Sequence, residues 1–118
     1  MPNNTVLVTG ASGYIGGRLV PRLLDAGYDV RCLARDPRKL SARSWCDREN
    51  VQLCEGDVAD PESLRRSMRG CRVAYYLVHS MMAVGPKYRE HDRKLAETFA
   101  AAAAAENVER IIYLVCLG

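Results

Sequence analysis

Thr9-Gly10-Ala11-Ser12-Gly13-Tyr14-Ile15-Gly16-Gly17 is the stretch of this 118-residue chain whose residue types and spacing point most directly to chemistry. Glycines three residues apart, at Gly10, Gly13 and Gly16, permit a tight turn, let the backbone approach an anion and let a helix lie close to the strand before it. The stretch follows the apolar run Thr5-Val6-Leu7-Val8 and opens a pattern of helical period. Strand, glycine turn and helix in that order make a cradle for a pyrophosphate. The first free N–H groups of the helix and the positive end of its dipole then face the anion. The plainer reading of the same glycines is a tight turn that binds nothing.

A second constellation follows the next strand candidate, Asp29 to Arg35, which ends Leu33-Ala34-Arg35-Asp36 with Arg38 and Lys39 close behind. Where a glycine cradle holds a dinucleotide, an acidic residue at this point accepts from the adenosine ribose and favours NAD. A basic residue accommodates a 2′-phosphate and favours NADP. Arg35 suits the phosphate, because a guanidinium pairs with it bidentately. Asp36 keeps NAD open, although its place before Pro37-Arg38-Lys39-Leu40 also suits a turn cap. NADP is the expected cofactor, with an ordinary surface arginine as the plain alternative at Arg35.

The elements that must position these residues alternate in type. Further strand candidates are Val51 to Cys54, Arg72 to Val78 and Arg110 to Val115. Their near-continuous apolar character fits strands buried on both faces of a parallel sheet, and strands alternating with helices predict βαβ units with right-handed crossovers. The first helix, about Gly13 to Ala26, stacks Ile15, Leu19 and Leu23 and is expected to bend, not break, at Pro21. A short helix is bracketed by Asp60 as N-cap, Pro61 at its first position and Gly70 at its end, with Leu64 and Met68 inward and Arg65, Arg66 and Arg69 on a solvated face. The last helix, about Lys87 to Glu106, carries Leu95, Phe99 and Ala102 or Ala103 as its inward stripe. Its alanine run favours helix and close packing. The polar, basic segment from Asp36 to Asn50 reads as a short helix and loop around Trp45.

Composition bounds the function. With 48% hydrophobic and 26% charged residues, the chain reads as one globular domain, and its formal charge of +3 does not argue for nucleic acid or an acidic membrane surface. No apolar run is long enough to span a bilayer, and no secretory signal pattern opens the chain. Five cysteines (Cys32, Cys46, Cys54, Cys71 and Cys116) form no CxxC pair. An odd count, with three of them in strand-like runs, predicts reduced core thiols in a cytoplasmic protein rather than a metal site.

On these residues the chain resembles the N-terminal part of the short-chain dehydrogenase/reductase superfamily, of the extended or atypical type. That group includes nucleoside-diphosphate-sugar epimerase-like and NmrA-like NAD(P)-binding proteins. Thr9 to Gly16 matches the TGxxGxxG signature, and Gly56-Asp57-Val58-Ala59-Asp60 matches the GDxxD element after the third strand. Tyr75-Tyr76-Leu77-Val78-His79-Ser80-Met81 is similar to the fourth-strand segment of an atypical subgroup. The resemblance implies a Rossmann-like parallel sheet of five strands, order 3-2-1-4-5, with helices on both faces and residues 1–118 forming one NAD(P)-binding domain. It implies cofactor contacts from Gly10, Ser12, Gly13, Tyr14, Ile15 and Gly16 to the pyrophosphate, Arg35 to a 2′-phosphate, Asp57 and Val58 to the adenine, and His79 near the nicotinamide. The catalytic Tyr-x-x-x-Lys pair of the superfamily has no match, since Tyr88 is followed four residues later by Asp92 and Tyr113 by Leu117. Superfamily members continue with further strands and a substrate segment, so the resemblance implies an N-terminal portion that holds the cofactor.

Two weaker candidates stand beside these. His79, at the carboxyl end of a strand, has a ring suited to proton transfer, while a loop histidine bonded to backbone is the plainer reading. His91, in the charged start of the last helix, reads as a surface or packing residue. The leading functional expectation is the cofactor-binding half of an NAD(P)-dependent oxidoreductase or epimerase-like enzyme, with catalytic residues and substrate unassigned. The alternatives are a nucleotide-sensing module without chemistry and a structural fragment whose uncovered sheet edge pairs with a second copy.

Overall fold

The computed structural model describes residues 4–11, 13–41, 43–77 and 86–113. Five strands alternate with helical elements: β1 (Thr5–Thr9), α1 (Tyr14–Asp25), β2 (Asp29–Ala34), a 3-10 turn (Pro37–Lys39), β3 (Val51–Glu55), α2 (Pro61–Met68), β4 (Val73–Tyr76), α3 (Pro86–Ala105) and β5 (Arg110–Tyr113). All pair in parallel in the order β3-β2-β1-β4-β5. That is the expected architecture. The chain builds outward from β1 through β2 to β3, then returns to place β4 on the other side of β1. The carboxyl ends of β1 and β4 therefore meet where the winding direction reverses, the place where ligands bind in open α/β sheets.

Each face of the sheet has its own core. On one face, Val6, Val8, Val30 and Cys32 pack under Val20, Leu23 and Leu24 of α1, with Leu40 and Trp45 of the 36–50 segment closing the side. Trp45 thus anchors a polar segment that has little other apolar content. On the other face, Leu7, Leu33, Ala74 and Tyr76 meet Leu64 and Met68 of α2 and Phe99, Ala102 and Ala103 of α3. The alanines of α3 bring it close to the sheet, and the Phe99 ring meets Tyr76 edge-on at 4.9 Å between centroids.

Local signals set the helix ends. Helix α1 runs unbroken through Pro21. Asp60 caps α2 twice, accepting from the Glu62 N–H at 3.1 Å and from the Ser63 hydroxyl at 2.9 Å. The other end of α2 is held by Arg31, which stands in the middle of β2. Its guanidinium donates to the carbonyls of Ser67 (2.9 Å) and Arg69, so a cation sits at the negative end of the helix dipole. The arginines on the outer face of α2 are surface groups, with Arg65 pairing at 3.1 Å with Glu106 just beyond α3.

Both edge strands depart from the expectation of burial on both faces: in β3 Gln52 and Glu55 are exposed and Val51, Leu53 and Cys54 are half-buried. Ile111, Ile112 and Tyr113 of β5 are exposed. Among the described residues β5 pairs only with β4 and lies at the sheet edge, so an apolar run there lacks the second neighbour that buries a central strand. Tyr113 recovers a contact by stacking on Tyr76 at 4.8 Å. The expected continuations of β4 to Val78 and β5 to Val115 lie outside the described residues.

Two measurements check this packing. Leu64 is fully buried, so Leu64→Ala should cost about 2–5 kcal/mol in urea unfolding. The hydrogen bond from the Ser63 hydroxyl, followed by that from the Glu62 N–H, holds the Asp60 carboxyl below its ordinary 3.8. A carboxyl with a depressed folded value contributes stability above its unfolded value and loses it as pH falls through the folded one. Below about pH 4 the Tm of the wild type should therefore fall more steeply than that of Asp60→Asn, which keeps a neutral cap.

Candidate functional site

The glycine turn is built from backbone. Gly10, with φ at +78°, lies in the left-handed region that a side chain disfavours, and its carbonyl accepts from the Gly13 N–H at 3.1 Å. Gly16 faces back onto this turn: a Cβ there would collide with the Gly10 carbonyl oxygen and come within 2.7 Å of the Ala11 Cα. Glycine at that position lets α1 begin directly against the end of β1. Gly13 is the N-cap residue of α1 and contributes no side-chain cap, and the first turn holds no acidic residue. Among the described residues no side chain caps the leading N–H groups of Tyr14, Ile15 and Gly16, which suits an external anion. Tyr14 and Ile15 are exposed beside them, and Arg18 stacks on the Tyr14 ring at 3.7 Å.

A cleft of about 600 Å³ opens from this turn along the carboxyl ends of the strands. It is lined by Gly10 and Ala11 of the turn, by Leu33 to Asp36 with Lys39 after β2, by Gly56 to Ala59 after β3, and by His91 and Leu95 of α3. The cleft thus brings together Gly10, Arg35, Asp57 and Val58, which lie far apart in the sequence. Gly13, Tyr14, Ile15 and Gly16 form the helix start next to it. Ser12 and His79, the other two expected cofactor contacts, lie outside the described residues, as do Ser80 and Cys116. A smaller cavity of about 240 Å³ lies at the opposite end of the strands, around Asp29, Asn50 and Gln52, where no helix N-terminus faces it.

The charges of the cleft are differently engaged. The Asp36 carboxylate caps the 3-10 turn, accepting from the Arg38 N–H at 3.1 Å, and pairs with the Arg38 guanidinium at 2.9 and 3.2 Å. That guanidinium holds it below the ordinary carboxylate range. Asp57 accepts from the Ala59 N–H at 2.9 Å, which fixes the turn that presents Val58. Arg35 makes no hydrogen bond or ion pair with any described residue and lines the cleft where β2 ends. The chemically reactive groups of the sheet beneath are packing groups: burial pushes the Cys32 thiol and the Tyr76 phenol each up to about 12. Cys32 and Tyr76 are therefore unsuited as nucleophile or acid–base at neutral pH.

His91 and Leu95 were not anticipated at the site. Leu95 was expected in the inward stripe of α3 and His91 at the surface, and both descriptions hold as far as they go. Leu95 is half-buried against the α2–α3 core, and His91 is exposed. The signal that links them is their four-residue spacing, which puts both on one helix face, together with the start of α3 at the carboxyl edge of the sheet.

Comparison with known proteins shows the family of the chain. The profile of the NAD(P)H-binding family matches residues 10–118. The chain belongs to that family. It is 34% identical over 110 residues to the photosystem II assembly factor Ycf39 of Cyanophora paradoxa, covering 92% of this chain and 33% of that protein. It is 38% identical over 82 residues to a dihydroflavonol 4-reductase of Zea mays, covering 65% of this chain and 23% of the reductase. Among solved structures, a Rossmann-fold NAD(P)-binding family protein from Shigella flexneri superposes with a TM-score of 0.79 at 26% identity, over 99% of this chain and 54% of that one. The chain therefore spans a quarter to a third of the length of these curated relatives. It is an NAD(P)-binding domain, and its cofactor is a nicotinamide dinucleotide. No helix among the described residues is long and apolar enough to cross a membrane.

A Cβ at Gly16 would press the start of α1 away from the β1–α1 turn. Gly16→Ala should weaken dinucleotide binding at least tenfold in calorimetric titration and cost about 1–3 kcal/mol of stability, as overpacking does. Near-wild-type affinity in this variant would detach the turn from binding.

Proposed function

We propose that this domain binds NADP in preference to NAD and serves as the cofactor-holding half of an oxidoreductase or epimerase-like protein. The observation that carries the preference is the contrast between two neighbours. Asp36, the residue able to accept from a ribose hydroxyl, spends its carboxylate on its own turn and on Arg38. Arg35, the residue able to donate to a 2′-phosphate, makes no bond to any described residue, and Lys39 lines the same end of the cleft. A planar guanidinium with an ammonium beside it suits a phosphate dianion.

In this reading the pyrophosphate lies over the turn from Gly10 to Gly16, with Ser12, Tyr14 and Ile15 at its edge. The adenine lies against Asp57 and Val58. The segment around His79 borders the nicotinamide. When bound, the dinucleotide supplies a hydride donor or acceptor at the nicotinamide. The residues of this chain bind and orient it: the helix N–H groups hold the phosphates, Arg35 holds the ribose phosphate, and Val58 excludes water from the base. The dihydroflavonol 4-reductase among its relatives supports a reductase as the parent activity. The exposed edge of β5 offers a face for further strands or a second copy, and the cysteine usage suits a cytoplasmic setting.

Separate titrations with NADPH and NADH test the preference. NADPH should bind more tightly by about tenfold or more, and Arg35→Glu should weaken NADPH at least tenfold while changing NADH less than about twofold. Equal losses for the two cofactors would remove the phosphate role from Arg35. No binding of either below millimolar concentration would overturn the functional reading itself.

A further inference from the structure

The wall of the cleft supplied by α3 is chemically distinct from the others. The glycine turn offers backbone donors, Arg35 and Lys39 offer positive charge, and Asp57 with Val58 offers a fixed turn. Helix α3 brings one aliphatic side chain, Leu95, and one aromatic ring, His91, a helical turn apart on the same face. The His91 imidazole forms no hydrogen bond or ion pair with any described residue, so nothing in the fold accounts for its ring at the mouth of the cleft. An aromatic ring, Leu95 and Val58 lining one cleft suit a planar base.

We propose that His91 is a binding residue for the adenine: its imidazole lies against the exposed face of the base and, with Leu95, closes the adenine end of the cleft. The inference rests on the dinucleotide reading above. It adds a contact from a helix that the glycine turn does not predict. The ring acts by stacking, which every purine face accepts and which an alanine removes. A hydrogen bond from His91 to a phosphate is the competing role, and the two differ in what can replace histidine. Stacking survives substitution by phenylalanine, whereas a hydrogen bond survives substitution by glutamine.

The test uses the 118-residue chain and three probes: NADPH, adenosine 2′,5′-bisphosphate and nicotinamide mononucleotide. His91→Ala should weaken NADPH and adenosine 2′,5′-bisphosphate by about the same factor, on the order of tenfold, and leave nicotinamide mononucleotide within twofold. His91→Phe should bind both adenine probes within about twofold of the wild type, and His91→Gln should lose as much as His91→Ala. Because His91 is exposed, all three variants should keep the wild-type Tm, which separates lost contact from lost fold. Wild-type affinity in His91→Ala, or rescue by glutamine and not by phenylalanine, would overturn the stacking role. Failure of the wild type to bind NADPH or NADH would instead overturn the dinucleotide reading on which it rests.

Discussion

The structure depends on a single close approach of backbone to backbone. The first turn of α1 lies against the β1–α1 turn so tightly that a Cβ at Gly16 would overlap the Gly10 carbonyl. This contact fixes where α1 starts and how its axis leaves the sheet. It also leaves the uncapped helix N-terminus facing the carboxyl edge of β1. Packing and binding therefore make the same demand on one residue. The face of α1 that buries Val20, Leu23 and Leu24 on the sheet is oriented by the geometry that opens its N–H groups to an anion.

The rest of the site follows from the topology that surrounds this turn. Parallel strands place every carboxyl end on one side. The reversal between β1 and β4 opens a crevice there, and the loops after β2 and β3 reach it from one flank while α3 reaches it from the other. Two small capping interactions then distribute the charges. Arg38 takes the Asp36 carboxylate, and the Ala59 N–H takes that of Asp57. Arg35 and Lys39, which form no ion pair with any described residue, leave positive charge at the end of the cleft nearest β2. The charge left at that end of the cleft is thus set by which side chains the turns consume.

Much of this could be read from the residues because it is local. Strand, glycine turn and helix are contiguous in Thr5 to Asp25, and Asp60, Pro61 and Gly70 mark the α2 region through bonds within a few residues of one another. The inward roles of Leu64, Met68 and Phe99 followed from apolar periodicity, whereas the strand order followed from the family resemblance. Three features were less legible, each for a physical reason. The exposure of β5 depends on which strand lies at the edge, which an apolar run does not encode. The engagement of Asp36 by Arg38 depends on rotamers two residues apart, so the sequence left both cap and ribose acceptor open. The arrival of His91 and Leu95 at the cleft depends on the path of α3 across the sheet, a tertiary relation between residues some eighty positions from the glycine turn.

The central claim is that a nicotinamide dinucleotide occupies the cleft at the carboxyl edge of the sheet, with its phosphates on the uncapped start of α1. Backbone amide NMR of the labelled chain, titrated with NADPH, tests it residue by residue. The account predicts the largest shifts at Gly10, Gly13, Gly16, Arg35 and Val58, with little change at Asp29, Asn50 and Gln52 around the opposite cavity. Shifts confined to that opposite end, or a spectrum unchanged at millimolar NADPH, would contradict it.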